Sequence, residues 1–527
     1  MSDDRADDRP PPAVLDPAAG APPAPVDTDG AVGGLAAVVA AREGKLERLR
    51  AQGIDPYPPR SERTHTAAEA VAAFEAGERA GEPAGPSGVV LAGRLTGALR
   101  RMGGSMFVHL QDGSGHVQLH LQRDRLGEAA FEHIDAHFDS GDFVNAHGAM
   151  FRTRRGEVSL AVERLTMLAK SLLPLPEKWH GLHDQETRFR QRYLDLVSNA
   201  DARDRFVKRT RIVSRMRRYL DDRGFLEVET PILQPLYGGG AAEPFTTYYK
   251  ALEQTMYLRI ADELYLKRLL VGGYERVYEI SKDFRNEGVD RTHQPEFTMM
   301  ECYWAFADYR HIMDLVEDMI ATIARDVIGG TVIDLGGRPL DLTPPWRRVT
   351  VREAIREATG IDIDDTYGDL AGLRAAIRAR DLEADPQPTW AKTVDELIGE
   401  FVEPRVWDPV FLMDYPVELS PLAKRKRDDP RYVERFEPLV AGFELGNSFT
   451  ELNDPLDQRA RFEEMAAARA AGDTEAHPLD EDFLTAMMHG MPPMGGLGIG
   501  IDRLVMVLTG TPNIREVVLF PQLRRER

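Results

Sequence analysis

The chain has 527 residues, a formal net charge of −20 and a single cysteine, Cys302. One cysteine excludes a disulfide within the chain and any cysteine-built zinc site, and the acidic balance argues against indiscriminate binding to nucleic acid. The length suits roughly two to four domains; no run of about eighteen apolar residues occurs, so no membrane span is expected; the composition is that of a soluble globular protein, and the single cysteine fits a reducing cytoplasm.

Residues 1–34 are rich in Ala, Pro, Gly and Asp and lack the basic start and apolar run of a secretory signal. They are expected to be a disordered tail, because they cannot bury enough surface to fold. Residues 35–84 are read as a helical extension and linker. Within them 36–54 form an amphipathic helix, with Val39, Leu46 and Leu49 near one face and Arg42, Glu43, Lys45 and Arg48 over the rest. Gly53 and Pro56 stop it. Docking against the next domain is the plainer role for this helix, contact with RNA the functional one. Residues 80–87 are a linker.

Residues 85–175 hold short strands at Val89–Leu95, Phe107–Gln111, Val117–Leu121, Phe143–Phe151 and Glu157–Leu165. Val117, Leu119 and Leu121 alternate with Gln118, His120 and Gln122, the period of a half-buried strand. A helix is expected over 125–138. Five strands with a helix between the third and fourth is the order of an OB-fold barrel, an architecture that binds single-stranded nucleic acid. Basic clusters at Arg100-Arg101, Arg152 to Arg155 and Lys424 to Arg427 provide local positive charge despite the acidic total.

Residues 176–527 form the second, larger domain. Phe206, Ile212, Met216 and Leu220 line one helical face, and the segment turns at Gly224 into Phe225 to Pro231. Further helices are expected over 305–326 and 366–402, strands over 408–455 and 495–500, and a last helix from Ile501 to Leu508. A strand Arg276–Ile280 enters the polar loop Asp283-Phe284-Arg285-Asn286-Glu287-Gly288, and a strand Phe297–Ala305 leaves it. Such a hairpin can project Arg285 and His293 towards a polyphosphate, since a guanidinium offers a planar fork of donors to phosphate and carboxylate oxygens. The period of two puts Phe297, Glu301 and Tyr303 on one face, where a ring, a carboxylate and a phenol suit a base, a metal and an amine. In Phe443 to Asp454, Asn447, Phe449 and Glu451 share a face; Glu444 has the opposite parity, which a bulge near Gly446 or a strand end would resolve. Gly495 to Gly500 let a backbone approach a ligand closely, and Asp502 and Arg503 open the helix that follows. Taken singly, each stretch reads most simply as a solvated hairpin, an edge strand or a glycine-rich turn.

Together, in this order, they resemble motifs 2 and 3 of class II aminoacyl-tRNA synthetases, and Glu227 to Pro231 resembles motif 1, which lies at the dimer interface of that family. The resemblance is to lysyl-tRNA synthetases of bacterial type in particular. It extends from about residue 36 to the C-terminus and includes Gln191 to Leu196, Tyr257 to Ala261, Glu263 to Arg268 and Ser420 to Ala423.

The resemblance implies an α+β protein: an anticodon-reading OB barrel followed by a catalytic domain with an antiparallel sheet flanked by helices. It implies activation of lysine by ATP with Mg²⁺, transfer to the 3′ end of tRNA(Lys), and a homodimer. Residue by residue, it places Arg285 at the lysine carboxylate and the ATP α-phosphate, and Asn447 at that carboxylate. Gly239 and Glu263 would take the α-amino group, Tyr303 and Glu451 the ε-ammonium. Phe297 and Arg503 would sandwich the adenine, with Glu287, His293 and Glu301 at the ATP site. Glu437 and Glu444 would hold Mg²⁺. In the barrel, Phe107 would stack on an anticodon base and Gln118 hydrogen-bond nearby. One departure is Glu243, where many relatives carry a basic residue before Pro244-Phe245.

An aspartyl- or asparaginyl-type synthetase shares this architecture, but its pocket needs a cation. Glu263, Tyr303 and Glu451 supply none, and buried carboxylates without a cationic partner are costly, which favours an ammonium ligand. A protein-modifying relative would lack the barrel, and a non-catalytic RNA-binding paralogue would have lost Arg285, Glu437, Glu444 or Arg503.

Overall fold

A computed structural model of the chain describes residues 32–81, 86–176, 182–470 and 478–524. Most of the expected tail and the middle of the expected 80–87 linker lie outside the described residues. The chain divides into two compact units between Thr187 and Arg188.

In the first unit, β1 (Val89–Met102), β2 (Ser105–Gln111), β3 (His116–Gln122), β4 (Phe143–Arg152) and β5 (Val158–Ala169) close into a barrel in the order β1-β2-β3-β5-β4. The alternation read in β3 holds: Val117, Leu119 and Leu121 are buried with Met106, Val108 and Leu110 of β2, while Phe107, His109, Gln118 and His120 face outwards, half-buried. The helix between the third and fourth strands is two pieces, Arg123–Leu126 and Glu128–His137, parted by Gly127 at φ +82.

The N-terminal helix runs Val32–Ala51 and buries Leu46 and Leu49. Arg42, expected on its polar side, is buried as well. Its Nη1 donates to the Leu173 carbonyl at 2.8 Å and its Nη2 to the Ser140 carbonyl at 3.1 Å. The helix is thus a docked part of the barrel unit. A second helix, Ala67–Arg79, escaped the sequence reading although it carries a capping box: Thr66 Oγ1 accepts from Glu69 N, and Glu69 Oε2 accepts from Thr66 N.

The second unit contains β6 (Leu226–Glu227), β7 (Leu233–Gln234), β8 (Thr246–Tyr249), β9 (Gln254–Leu258), β10 (Arg276–Phe284), β11 (Glu296–Ala305), β12 (Val332–Leu335), β13 (Arg338–Asp341) and β14 (Arg347–Thr350). They are followed by β15 (Val410–Pro416), β16 (Tyr432–Val440), β17 (Phe443–Glu444), β18 (Gly446–Thr450) and β19 (Met494–Gly500). The main sheet runs β14-β15-β16-β18-β19-β11-β10-β6, with β17 beside β16. Its centre is antiparallel as expected, but β6 on β10 and β14 on β15 are parallel, so the sheet is mixed. The expected 408–455 strand region is interrupted between Pro416 and Tyr432.

One face of this sheet is sealed by helices. Ala200–Asp221 buries Phe206, Ile212, Met216 and Leu220, the four residues read from helical spacing. Tyr309–Ile323 and Ile501–Leu508 add Ile312, Val316, Met319, Leu504 and Val507 to the same core. A rigid sheet backed by packed helices can hold opposed side chains on its other face.

Candidate active site

The uncovered face carries a cavity of about 1290 Å³. Three neighbouring strands supply one wall of it. β18 and β11 both pair with β19, so the glycines of β19 lie between the side chains of its neighbours. Gly496 is a required gap: a Cβ there would collide with the Glu451 carboxylate and the Tyr303 ring. At this position the glycine makes room for the protein's own side chains, not only for a ligand. The parity problem at Glu444 is solved by a bulge. Leu439 pairs with Glu444 but Phe436 pairs with Ser448, which leaves one extra residue among Leu445, Gly446 and Asn447.

At one end of the cavity stand Gly239, Glu263, Glu301, Tyr303 and Glu451. Glu263 opens the helix Glu263–Val271. Gly239, at φ +86, lies so close that a Cβ would sit 2.9 Å from Glu263 Cβ. The Tyr303 hydroxyl donates to Glu301 Oε2 at 3.1 Å, and Asp262 N donates to Glu301 Oε1 at 3.2 Å. Glu301, expected beside ATP, therefore belongs with this end. The sequence reading found no cation here, and the structure corrects it. Lys267, one helical turn after Glu263, places its ammonium against both Glu263 and Glu451. Lys267 lay inside a quoted motif block, but its i, i+4 spacing from Glu263 was the only signal of this role. Burial pushes the Glu451 carboxyl up, with Glu263 adding to the effect and Lys267 opposing it. Glu451 Oε1 is buried with no hydrogen-bond partner among the described residues.

Behind this end lie three buried carboxylates, Asp262, Asp283 and Glu301, with oxygens within 4.8 Å of one another. Arg259 partly compensates them, at 2.9 Å from Asp262 Oδ1 and 3.3 Å from Asp283 Oδ1. Burial, then Asp283, raises the Asp262 carboxyl to about 8. Burial, then Asp262, pushes Glu301 well above the usual carboxylate range.

The other end gathers Arg285, Glu287, His293, Phe297, Glu444 and Arg503, with Asn447 between the two ends. The Arg285 guanidinium stands 5.2 Å from the Phe297 ring centroid, and its Nε is buried without a hydrogen-bond partner among the described residues. Arg503 donates from Nη1 to the Glu444 carbonyl at 2.8 Å, and its Nη2 lies 2.9 Å from His293 Nε2. His293 Nδ1 meets Asp290 at 2.7 Å. Glu287 and His293 are exposed. The arrangement offers cationic donors and an aromatic face to an anionic, planar ligand.

Glu437 does not line the cavity. It is buried behind it, where Tyr415 donates to its Oε2 at 2.6 Å and Arg435 to its Oε1 at 2.5 Å. Arg435 also donates from Nε to Asn447 Oδ1 at 3.1 Å, tying Glu437 to the cavity wall. The sequence reading passed over Arg435, because only the pairing of β16 with β18 brings it beside Asn447.

In the barrel, Phe107 stacks on His120 with centroids 4.5 Å apart and planes at 6°. Gln118 Nε2 donates to Glu157 Oε2 at 2.8 Å, and His109 Nε2 lies 3.2 Å from Glu157 Oε1. The two expected residues thus share one outer face with His109, His120 and Glu157, which were not singled out from sequence.

Two family models match the chain: class II tRNA synthetases (D, K and N) over residues 184–524, and the OB-fold nucleic acid binding domain over residues 89–168. A lysine–tRNA ligase from Roseiflexus castenholzii is 58% identical over 483 residues, covering 92% of this chain and 98% of that relative. Lysine–tRNA ligases from Chloroflexus aurantiacus and Moorella thermoacetica are 57% and 51% identical, each covering 92% of this chain and 98% of the relative. With the barrel, the glycine-backed sheet and the two-ended cavity in place, this similarity shows that the chain belongs to the lysine–tRNA ligase family of class II tRNA synthetases.

Proposed function

We propose that the cavity activates L-lysine with ATP and passes it to the 3′ end of tRNA(Lys). The observation that carries this reading is Glu451, a buried carboxylate with one unpartnered oxygen beside Glu263 and Tyr303. An ammonium supplies both the hydrogen bond and the positive charge, an amide only the hydrogen bond, and a carboxylate neither. Lys267 is the cation that an aspartyl-type pocket would need, but two glutamates already flank it.

Gly239 and Glu263 take the α-amino group, and Glu451 with Tyr303 the ε-ammonium. Arg285 and Asn447 orient the carboxylate. The lysine carboxylate is already a nucleophile at neutral pH, so alignment and charge neutralisation supply the rate. A carboxylate oxygen attacks the α-phosphorus, the bond to the bridging oxygen breaks, and diphosphate leaves with that electron pair. Arg285 faces the charge that develops on the phosphoryl oxygens. Phe297 and Arg503 hold the base, with Glu287 and His293 also contacting ATP. The ribose 3′ hydroxyl of the tRNA then attacks the lysyl carbonyl and AMP leaves.

Glu444 lines the cavity, and its charge helps to raise the buried Glu437 carboxyl. A carboxylate at the phosphate site, with a second one close behind it, fits a hard divalent cation. When bound there, Mg²⁺ would neutralise phosphate charge. Glu437, held by Arg435 and Tyr415, supports that site from behind.

Phe107 and Gln118 read the anticodon by stacking and hydrogen bonding. The β7-β9-β8 sheet and the adjoining motif 1 segment expose Leu226, Ile232, Leu233, Tyr248 and Leu252, an apolar surface suited to a second copy of the chain. Light scattering at micromolar concentration tests the dimer. No described helix is long and apolar enough to cross a membrane. Pyrophosphate exchange over all amino acids tests the activity: lysine is expected to support it, and exchange driven by aspartate or asparagine would overturn the reading.

A further inference from the structure

The pocket contains a charged group that the proposed reaction does not use. Lys267 is fully buried, at 1% side-chain exposure, and its ammonium contacts two carboxylates that are equally hidden, Glu263 and Glu451. Its Nζ stands 5.8 Å from the centroid of the Tyr303 ring. The Tyr303 hydroxyl turns away to Glu301, so it does not compete for Lys267. Glu451 is held on its other side by the gap at Gly496.

We infer that Lys267 is a positioning residue of the amino-acid pocket: its ammonium bridges the Glu263 and Glu451 carboxyl groups, holds both in place and leaves Glu451 Oε1 open to the substrate. This rests on the lysine-pocket reading above and says how that pocket keeps an oxygen of Glu451 ready for the substrate ammonium. Two buried carboxylates with no counter-ion would share a proton, because ionising both in a dry site is costly. A shared proton occupies the oxygens that must receive the substrate. With Lys267 in place, one charge of the pair is balanced by the protein, and Glu451 Oε1 stays unpartnered.

The charged and titratable groups facing this point are few. Glu263 and Lys267 come from the helix, with Asp262 just before it. Glu301 and Tyr303 come from β11, and Glu451 follows β18; β19 contributes only glycine. Glu263 and Glu451 favour the charged form of Lys267 against its burial, and the ammonium keeps its proton.

The test compares Lys267→Met, Lys267→Gln and Lys267→Arg in lysine-dependent pyrophosphate exchange, using the full chain. In the Met and Gln variants a proton replaces the lost cation, so substrate must compete with it. The apparent KM for lysine is expected to rise by about tenfold or more at neutral pH. It should fall back as pH rises from about 6.5 to about 9, more steeply than in the wild type. The KM for ATP should change by no more than about twofold, since ATP binds at the other end. Lys267→Arg keeps the charge and should recover most of the lysine affinity. A merely structural lysine would lower the melting temperature and leave the KM for lysine flat against pH, which would overturn the inference. So would an Arg variant as impaired as the neutral ones, or equal losses for lysine and ATP. Absence of lysine-dependent exchange in the wild type would instead remove the lysine-pocket reading itself.

Discussion

The two ends of the cavity solve opposite electrostatic problems. At the amino-acid end, Glu263, Lys267, Glu301, Tyr303 and Glu451 are all buried, and each charge already has a neighbour of opposite or matching role. At the nucleotide end, Arg285 and Phe297 are half-buried, His293 and Glu287 are exposed, and donors remain open. Selecting one small amino acid requires a dry site with nearly balanced charge, because only there does a missing ammonium cost much. A nucleotide brings large surface and several negative charges of its own, so an open set of cations and an aromatic face suffices.

The largest effect should follow from Glu451→Gln. It keeps the shape but removes one of the carboxylates that flank Lys267. The substrate ammonium is then desolvated without full compensation, a loss of about 3–5 kcal/mol, or roughly two to four decades in lysine dependence. ATP dependence should hardly move. Pyrophosphate exchange at varied lysine, with circular dichroism as the folding control, checks it; wild-type lysine dependence would erase the distinction between the two ends.

Arg503→Ala addresses the opposite end. Losing a charged hydrogen-bonding partner typically costs about 1.5–3 kcal/mol, here seen as weaker ATP binding with lysine dependence little changed. An equal rise in both KM values would mean that the ends are one coupled site. Phe107→Ala lies in the barrel and touches neither end. Stacking on an aromatic is worth about 1–3 kcal/mol by alanine substitution, so aminoacylation of tRNA should weaken while lysine-dependent exchange stays intact.

The smallest effect is on stability. Asp262 has its carboxyl raised to about 8 on folding, mainly by burial and then by Asp283. A carboxyl raised on folding favours the folded state below its ordinary range, and this contribution fades as pH climbs to the raised value. Asp262→Asn is neutral at every pH. It should differ little from the wild type near pH 4, within the ordinary carboxylate range, and melt higher near pH 8, by about 2 °C for each kcal/mol recovered. Melting curves at the two pH values check it, and a variant less stable at both would show that Arg259 needs this charge.

Much of the site was legible in local periodicity. The strand period put Phe297, Glu301 and Tyr303 on one face, and Asn447, Phe449 and Glu451 on another, because side chains alternate whatever the strand pairs with. The parity of Glu444 signalled a bulge or a strand end before any pairing was known. The helix face Phe206, Ile212, Met216 and Leu220 was equally plain, since burial follows the helical repeat. The capping box at Thr66 and Glu69 was a local signal that went unread.

What sequence alone determined was therefore the elements, their apolar faces, the order of the motifs and the residue types facing a ligand. All of these depend on neighbours a few positions away along the chain. Only the tertiary structure decided which charges meet. It set the Lys267 ammonium against Glu451 as well as Glu263, drew Glu437 behind the cavity wall to Arg435 and Tyr415, and buried Arg42 against the carbonyls of Ser140 and Leu173. The reason is physical: a buried ion's partner is selected by strand order and packing between distant segments, and neither is encoded in the spacing around the ion itself.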